Sequence, residues 1–193
     1  MPSPYDVPVT SDGTPSQASR RQFLGKLASF SALALAAPAS ALPVREERVL
    51  SFFNTHTSER LTVPYFADGA YLGDALARLE GFLRDFRTGQ QHPMDPKLFD
   101  LLHDLRQATR AGGPFQVISG YRSPATNARL RETGGGGVAS HSMHLQGRAI
   151  DIRVSDVKTS VLRDAARELR HGGVGYYPDL DFVHVDTGRV RAW

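Results

Sequence analysis

The chain has 193 residues, with 23 Lys and Arg against 20 Asp and Glu, seven His and no Cys. A net charge of +3, without a Lys/Arg cluster interleaved with aromatics, gives no case for a nucleic-acid partner. The lack of cysteine excludes disulfides, thiolate ligands and a lipid-modified cysteine, so an oxidising compartment is tolerated rather than exploited.

The N-terminus carries an export signal. Arg20 and Arg21, followed by Phe23 and Leu24, form a twin-arginine pattern, after which Leu27 to Ala37 is apolar all round. Ala39, Ser40 and Ala41 supply the small residues of a cleavage site before Leu42. The apolar stretch is about 11 residues, against roughly 20 for a bilayer-crossing helix, so no permanent membrane span is expected. Residues 1–41 therefore read as a twin-arginine signal peptide handled by the twin-arginine export machinery, with the periplasm as destination. Cleavage removes Arg20, Arg21, Lys26, Asp6 and Asp12, three basic and two acidic groups, and leaves a weakly basic domain over residues 42–193. That length suits one domain with its own core, expected to act as a monomer.

The expected elements of that domain follow in chain order. Residues 47–54 and 59–63 read as a hairpin around Thr55, His56 and Thr57. Leu76, Leu79, Phe82, Leu83 and Phe86 recur at helical spacing, as do Leu98, Leu101, Leu102 and Leu105 after the start signal of Asp95 and Pro96. Gly112, Gly113 and Pro114 break this second helix before a strand over 115–118. The run Gly134–Gly137 is a flexible loop, either a plain linker or the lip of a groove. A strand over 148–154, a helix over 158–170 closed by Gly172 and Gly173, and a strand over 182–186 complete an α+β domain. No internal repeat is visible.

Chemistry concentrates in two places. Ser142 to Asp151 contains His144 and Asp151, and Asp181 to Asp186 contains His184 between two carboxylates. Ile150, Ile152 and Val154 alternate, which sends Asp151 to the face away from the aliphatic core. Val183 and Val185 do the same for His184, which shares its face with Phe182 and Asp186. Gly147 permits a tight turn that brings His144 back over Asp151. If the two strands neighbour each other, His144, Asp151 and His184 form a three-ligand zinc set with a fourth position left for water, and Asp181 remains as a base. Residues three apart on a regular strand face opposite ways, so either Asp181 sits in the loop before residue 182 or Asp186 is the base. Most histidines in a protein hold no metal. His56 at a hairpin tip, His92 before Pro93, His103 on a leucine-faced helix and His171 after a helix end need none. His141 lies three residues from His144 and is assigned to substrate contact or to support of the ligands from outside.

These residues resemble the LAS metallopeptidases, in their D-Ala-D-Ala metallopeptidase branch. The segment Phe115–Pro124, the His144 motif and the tail Phe182–Trp193 are most similar to the YcbK-like (MepK) murein endopeptidases, over roughly residues 45–193. The resemblance implies a single small domain with a central antiparallel sheet carrying one zinc, helices on one side, and His144, Asp151 and His184 as ligands. It implies Arg122 near the substrate and a carboxylate base three residues before the last ligand, where the wider branch has Glu and this chain has Asp181. It implies zinc-dependent hydrolysis of peptide cross-links of peptidoglycan. The rivals are a carboxypeptidase trimming stem peptides and a non-catalytic zinc-bearing wall-binding module. A non-haem iron oxygenase built on His184 and Asp186 lacks the distant second His that should follow them.

Overall fold

The structure is a computed structural model that describes residues 46–133 and 139–193, so the leader 1–41 and the glycine run 134–137 lie outside the described residues. Strand β1 (Glu47–Asn54) turns through Thr55–Thr57 into β2 (Arg60–Ala67), with the Asn54 side chain accepting the backbone N–H groups of His56 and Thr57. A short edge strand β3 (Ala70–Tyr71) precedes helix α1 (Gly73–Phe82). Helix α2 (Pro96–Thr109) starts where expected, with Asp95 accepting the Lys97 N–H at 3.0 Å and Pro96 in the first turn.

Strand β4 (Phe115–Ser119), helix α3 (Pro124–Thr133) and a 3-10 turn over Met143–Gln146 lead to β5 (Ala149–Val154). Helix α4 (Thr159–Leu169), β6 (Gly173–Tyr177), a second 3-10 turn over Pro178–Leu180, β7 (Phe182–Asp186) and β8 (Arg191–Ala192) complete the domain.

The eight strands form one sheet in the order β3-β2-β1-β4-β5-β7-β6-β8. It is mixed rather than purely antiparallel, because β1 pairs with β4, and β6 with β8, in parallel. Parallel neighbours need a crossover, and α1 and α2 lie within the one that joins β1 and β2 to β4. One sheet face carries Leu50, Phe52, Val63, Tyr65, Ile150, Ile152, Val183 and Val185 into the core. Leu79, Leu98, Leu102, Leu105 and Leu162 from α1, α2 and α4 meet them there. Helix α3 joins that core with no apolar side chain and instead puts Leu130 against a cavity on the opposite face.

Three expectations change. Helix α1 stops at Phe82 rather than running through Phe86, because the buried Asp85 carboxylate accepts the N–H groups of Arg87 and Ser123, a local turn that competes with the helix. Helix α4 ends on Arg170, itself left-handed at φ 54°, and Gly173 opens β6, which was not anticipated. Helix α3 was also missed, since its apolar content is too low to show a period. Its start is nonetheless local: the Ser123 hydroxyl accepts the Thr126 N–H just ahead of Pro124's turn.

Gly147 is required. Its φ is +65°, and a Cβ there would lie 2.1 Å from the Pro93 carbonyl oxygen. Gly147→Ala should lower stability by at least the ~1–2 kcal/mol of a left-handed L-residue, read as a drop of several degrees in the thermal midpoint. An unchanged midpoint would show that this turn is not constrained as described.

Candidate metal centre

Asp151 on β5 and His184 on β7 are direct cross-strand partners, which places both side chains on the face away from the core. His144 arrives from the 3-10 turn over Met143–Gln146, whose cap is Ser142, accepting the His144 N–H at 3.4 Å, and whose exit is the left-handed Gly147. The three side chains are buried together. His144 Nε2 lies 3.2 Å from Asp151 Oδ1 and 3.1 Å from His184 Nδ1, and His184 Nδ1 lies 2.9 Å from Asp151 Oδ1.

The far side of each ring decides what faces the centre. His144 Nδ1 sits 2.7 Å from the Gly120 carbonyl, to which it can only donate, so Nε2 presents a lone pair inward. Gly120 allows this, since a Cβ there would come within 2.5 Å of the Leu83 carbonyl oxygen. His184 Nε2 donates to Asp186 Oδ2 at 3.0 Å, turning Nδ1 inward. Two ring nitrogens and a carboxylate oxygen thus aim acceptors at one point, an arrangement that only a cation or a shared proton satisfies. Separations of 2.9–3.2 Å approach the edge of a tetrahedron with ~2.0–2.1 Å metal–ligand bonds, about 3.3 Å. The donor set fits a zinc-type ion.

Electrostatics agree. Burial outweighs the pull of Asp151 and holds His144 below its ordinary pKa, hence neutral. Burial also disfavours the charged form of His184, but its hydrogen bonds to Asp151 and Asp186 win and push it up to about 9. Burial alone would raise Asp151, yet His144 and His184 hold it well below the carboxylate range.

Asp186 is fully buried and committed: it accepts from Arg191 at 2.6 Å, from the Gly173 N–H at 3.0 Å and from the Gly188 N–H at 2.8 Å, besides His184. It orients the ring and has no room to serve as a base. Residues 184 and 186 share a strand face, which brings the carboxylate to the ring, but the sequence leaves it open as a base.

Arg122 stands beside the cluster, with Nη2 3.5 Å from Asp151 Oδ2 and Nε buried without a hydrogen-bond partner among the described residues. Burial lowers its pKa from the ordinary arginine value. A cavity of about 640 Å³ opens over the cluster, and Arg122 and His141 both line it. His141 is exposed, and its only hydrogen bond among the described residues is between Nδ1 and Ser140 Oγ, at 3.1 Å.

Asp181 is where the expectation and the structure part. It does lie in the loop before β7, but at φ 51° its exposed carboxylate turns to Thr159 Oγ1 at 3.1 Å and Arg153 Nη1 at 3.4 Å. It lines a separate surface cavity, while its neighbours Leu180 and Phe182 line the one over the cluster. A left-handed residue breaks strand alternation, so parity could not foretell the direction of this side chain. Sequence reasoning also missed His56, Arg87, Tyr177 and Trp193 as cavity walls. In the sequence His56 shows only as a hairpin tip, because its ring partner, Phe86, is thirty residues on, stacked at 3.9 Å.

The family described as peptidoglycan L,D-endopeptidase MepK matches residues 43–193, which include every residue of this centre. A relative from Escherichia coli (strain K12), named peptidoglycan L,D-endopeptidase MepK, is 41% identical over 179 residues, 91% of this chain and 97% of its own. Another from Haemophilus influenzae, named probable peptidoglycan L,D-endopeptidase MepK, is 42% identical over 149 residues, 76% of this chain and 78% of its own. Both kinds of match cover the whole described domain, and the chain belongs to the peptidoglycan L,D-endopeptidase MepK family.

Proposed function

We propose that this chain is a zinc-dependent murein endopeptidase that hydrolyses peptide cross-links of peptidoglycan, exported to the periplasm by the twin-arginine route. The convergence of three buried acceptors, with both imidazole rings fixed in orientation from behind, carries this reading. The relatives' names favour a bond of the L,D type over the D,D type. No helix among the described residues is long and apolar enough to cross a membrane.

His144, Asp151 and His184 would hold the ion. An ion held there would supply Lewis-acid polarisation of the scissile carbonyl and an acidified water. Asp186 keeps the His184 tautomer that coordinates, and Arg122, with an unused Nε–H, offers a donor to the oxyanion that forms at the carbonyl. Asp181 is our candidate to accept the proton of the attacking water, since both its neighbours line the cavity. The role requires the 178–181 turn to rotate its carboxylate away from Arg153 and Thr159.

The metal reading has a pH signature. The metal-free fold holds a proton on His184 up to about pH 9, above an unfolded value near 6.5. That proton's contribution to stability is complete below about pH 6.5 and is lost as pH rises through 9. Zinc must displace it, whereas His144 is already neutral. Affinity should therefore rise about tenfold per pH unit and level off above 9. Asp186→Asn should weaken binding about 10–100-fold, and His144→Ala or His184→Ala should abolish tight binding. Calorimetric titration with zinc checks all of these. A flat pH profile, or stoichiometric zinc retained in both alanine variants, contradicts the assignment.

For the base, Asp181→Asn should lose turnover while keeping its zinc. Normal turnover in that variant would transfer the role to His141, the uncoordinated imidazole beside the cluster that lines the cavity.

Digestion of murein sacculi should convert cross-linked dimers to monomers, and a chelator should block it. Shortened monomer stems with dimers unchanged would mean a carboxypeptidase, and sacculus binding without products would mean a wall-binding module.

A further inference from the structure

The cavity over the cluster has two chemically different ends, and strand order sets them apart. Asp151 on β5 stands between β4 and the β1–β2 turn on one side and β7, β6 and β8 on the other. On the latter side the wall is aromatic: Tyr177 stacks on Phe182 at 4.6 Å and accepts the Trp193 Nε1–H at 2.9 Å, and Trp193 lies 5.2 Å from the His184 ring. Arg191 also lines the cavity, but its guanidinium is consumed by Asp186 and the Arg189 carbonyl.

The opposite end is cationic. His56, Arg87, Ile118, Ser119 and Arg122 form it, and the β4 bulge between Val117 and Ser119 is what lets Ile118 and Ser119 both face the cavity. The Arg87 guanidinium lies 4.2 Å over the Phe86 ring, and the His56 ring stacks on Phe86 at 3.9 Å and 11°. Two groups this close to one ring must occupy its two faces, so Phe86 is sandwiched and Arg87 is held in place from one side. Its N–H groups make no hydrogen bond or ion pair among the described residues, although Arg122 and His56 both feel its charge. Among the described residues no carboxylate pairs with it. Asp85 is buried, with its oxygens on backbone N–H groups, and Asp151 belongs to the metal cluster. A pre-positioned guanidinium with its donors free, next to an arginine whose Nε is buried and unpartnered, is a receptor for a planar anion.

We infer that Arg87, seated on Phe86 at the β1–β2 end of the cavity, is a specificity-determining residue that pairs with a carboxylate flanking the scissile amide. The inference rests on the endopeptidase reading and deepens it. A cross-link made through the amine of an amino acid leaves that residue's own carboxylate one carbon from the amide nitrogen. The cationic end then receives the carboxylate-bearing side of the link, and the aromatic end receives the other.

The test uses two cross-linked dimers that differ only in that carboxyl, free in one and converted to its amide in the other. The wild-type protein should prefer the free acid by roughly tenfold in kcat/KM, carried by KM, the scale of one charge-assisted hydrogen bond. Arg87→Ala should erase the preference by raising KM for the acid, and Arg87→Lys, which keeps the charge but not the fork, should restore part of it. Zinc content and thermal midpoint report whether either variant is misfolded. Equal wild-type rates on acid and amide, or an undiminished preference in Arg87→Ala, would overturn the assignment while leaving the endopeptidase reading intact. A wild-type protein that cleaves neither dimer overturns both.

Discussion

Three acceptors pointed at one another across 2.9–3.2 Å repel unless something positive lies between them, and the rest of the domain is organised around holding them there. The cost of burying Asp151 beside two imidazoles is met in the metal-free fold by a proton on His184 and, in the proposed holoenzyme, by the ion that replaces it. Proton and metal compete for the same lone pair.

The supports come from distant parts of the chain and are mostly backbone. Gly120 gives its carbonyl to His144, and only glycine fits there because Leu83 occupies the space where a side chain would stand. The His144 carbonyl in turn accepts the Arg122 N–H, so the loop that carries Arg122 and the turn that carries His144 are tied together. On the other side, Asp186 collects His184, Arg191 and two backbone N–H groups, locking the end of β7 to β6 and to the segment before β8. Each ligand ring is thus fixed from behind by a group with no other freedom, which is what a site must do to keep its geometry when the charge at its centre changes.

The sheet explains why the site lies where it does. Its apolar face is filled by α1, α2 and α4, and that leaves the opposite face of β5 and β7 for chemistry. Helix α3, with hardly any apolar face, borders the cavity and not the core. The cavity acquires its asymmetry from strand order: the hairpin and β4 bring arginines, while β6, β7 and β8 bring aromatic rings.

Much of this was legible in the amino-acid sequence. Alternation in 148–154 and 182–186 determined that Asp151 and His184 leave the core on the polar face, since a strand's period of two admits no other outcome. The Asp95–Pro96 start and the leucine spacing determined α2, and Gly147 determined the turn under His144. Only the tertiary structure decided the register that sets Asp151 opposite His184, because pairing depends on strands 33 residues apart. It alone decided that Asp181 turns to Arg153 and Thr159, that Asp186 is sequestered, and that His56 and Arg87 meet on Phe86. The direction of a side chain at a left-handed residue, and the identity of a partner across the fold, are set by packing between segments that local periodicity does not connect.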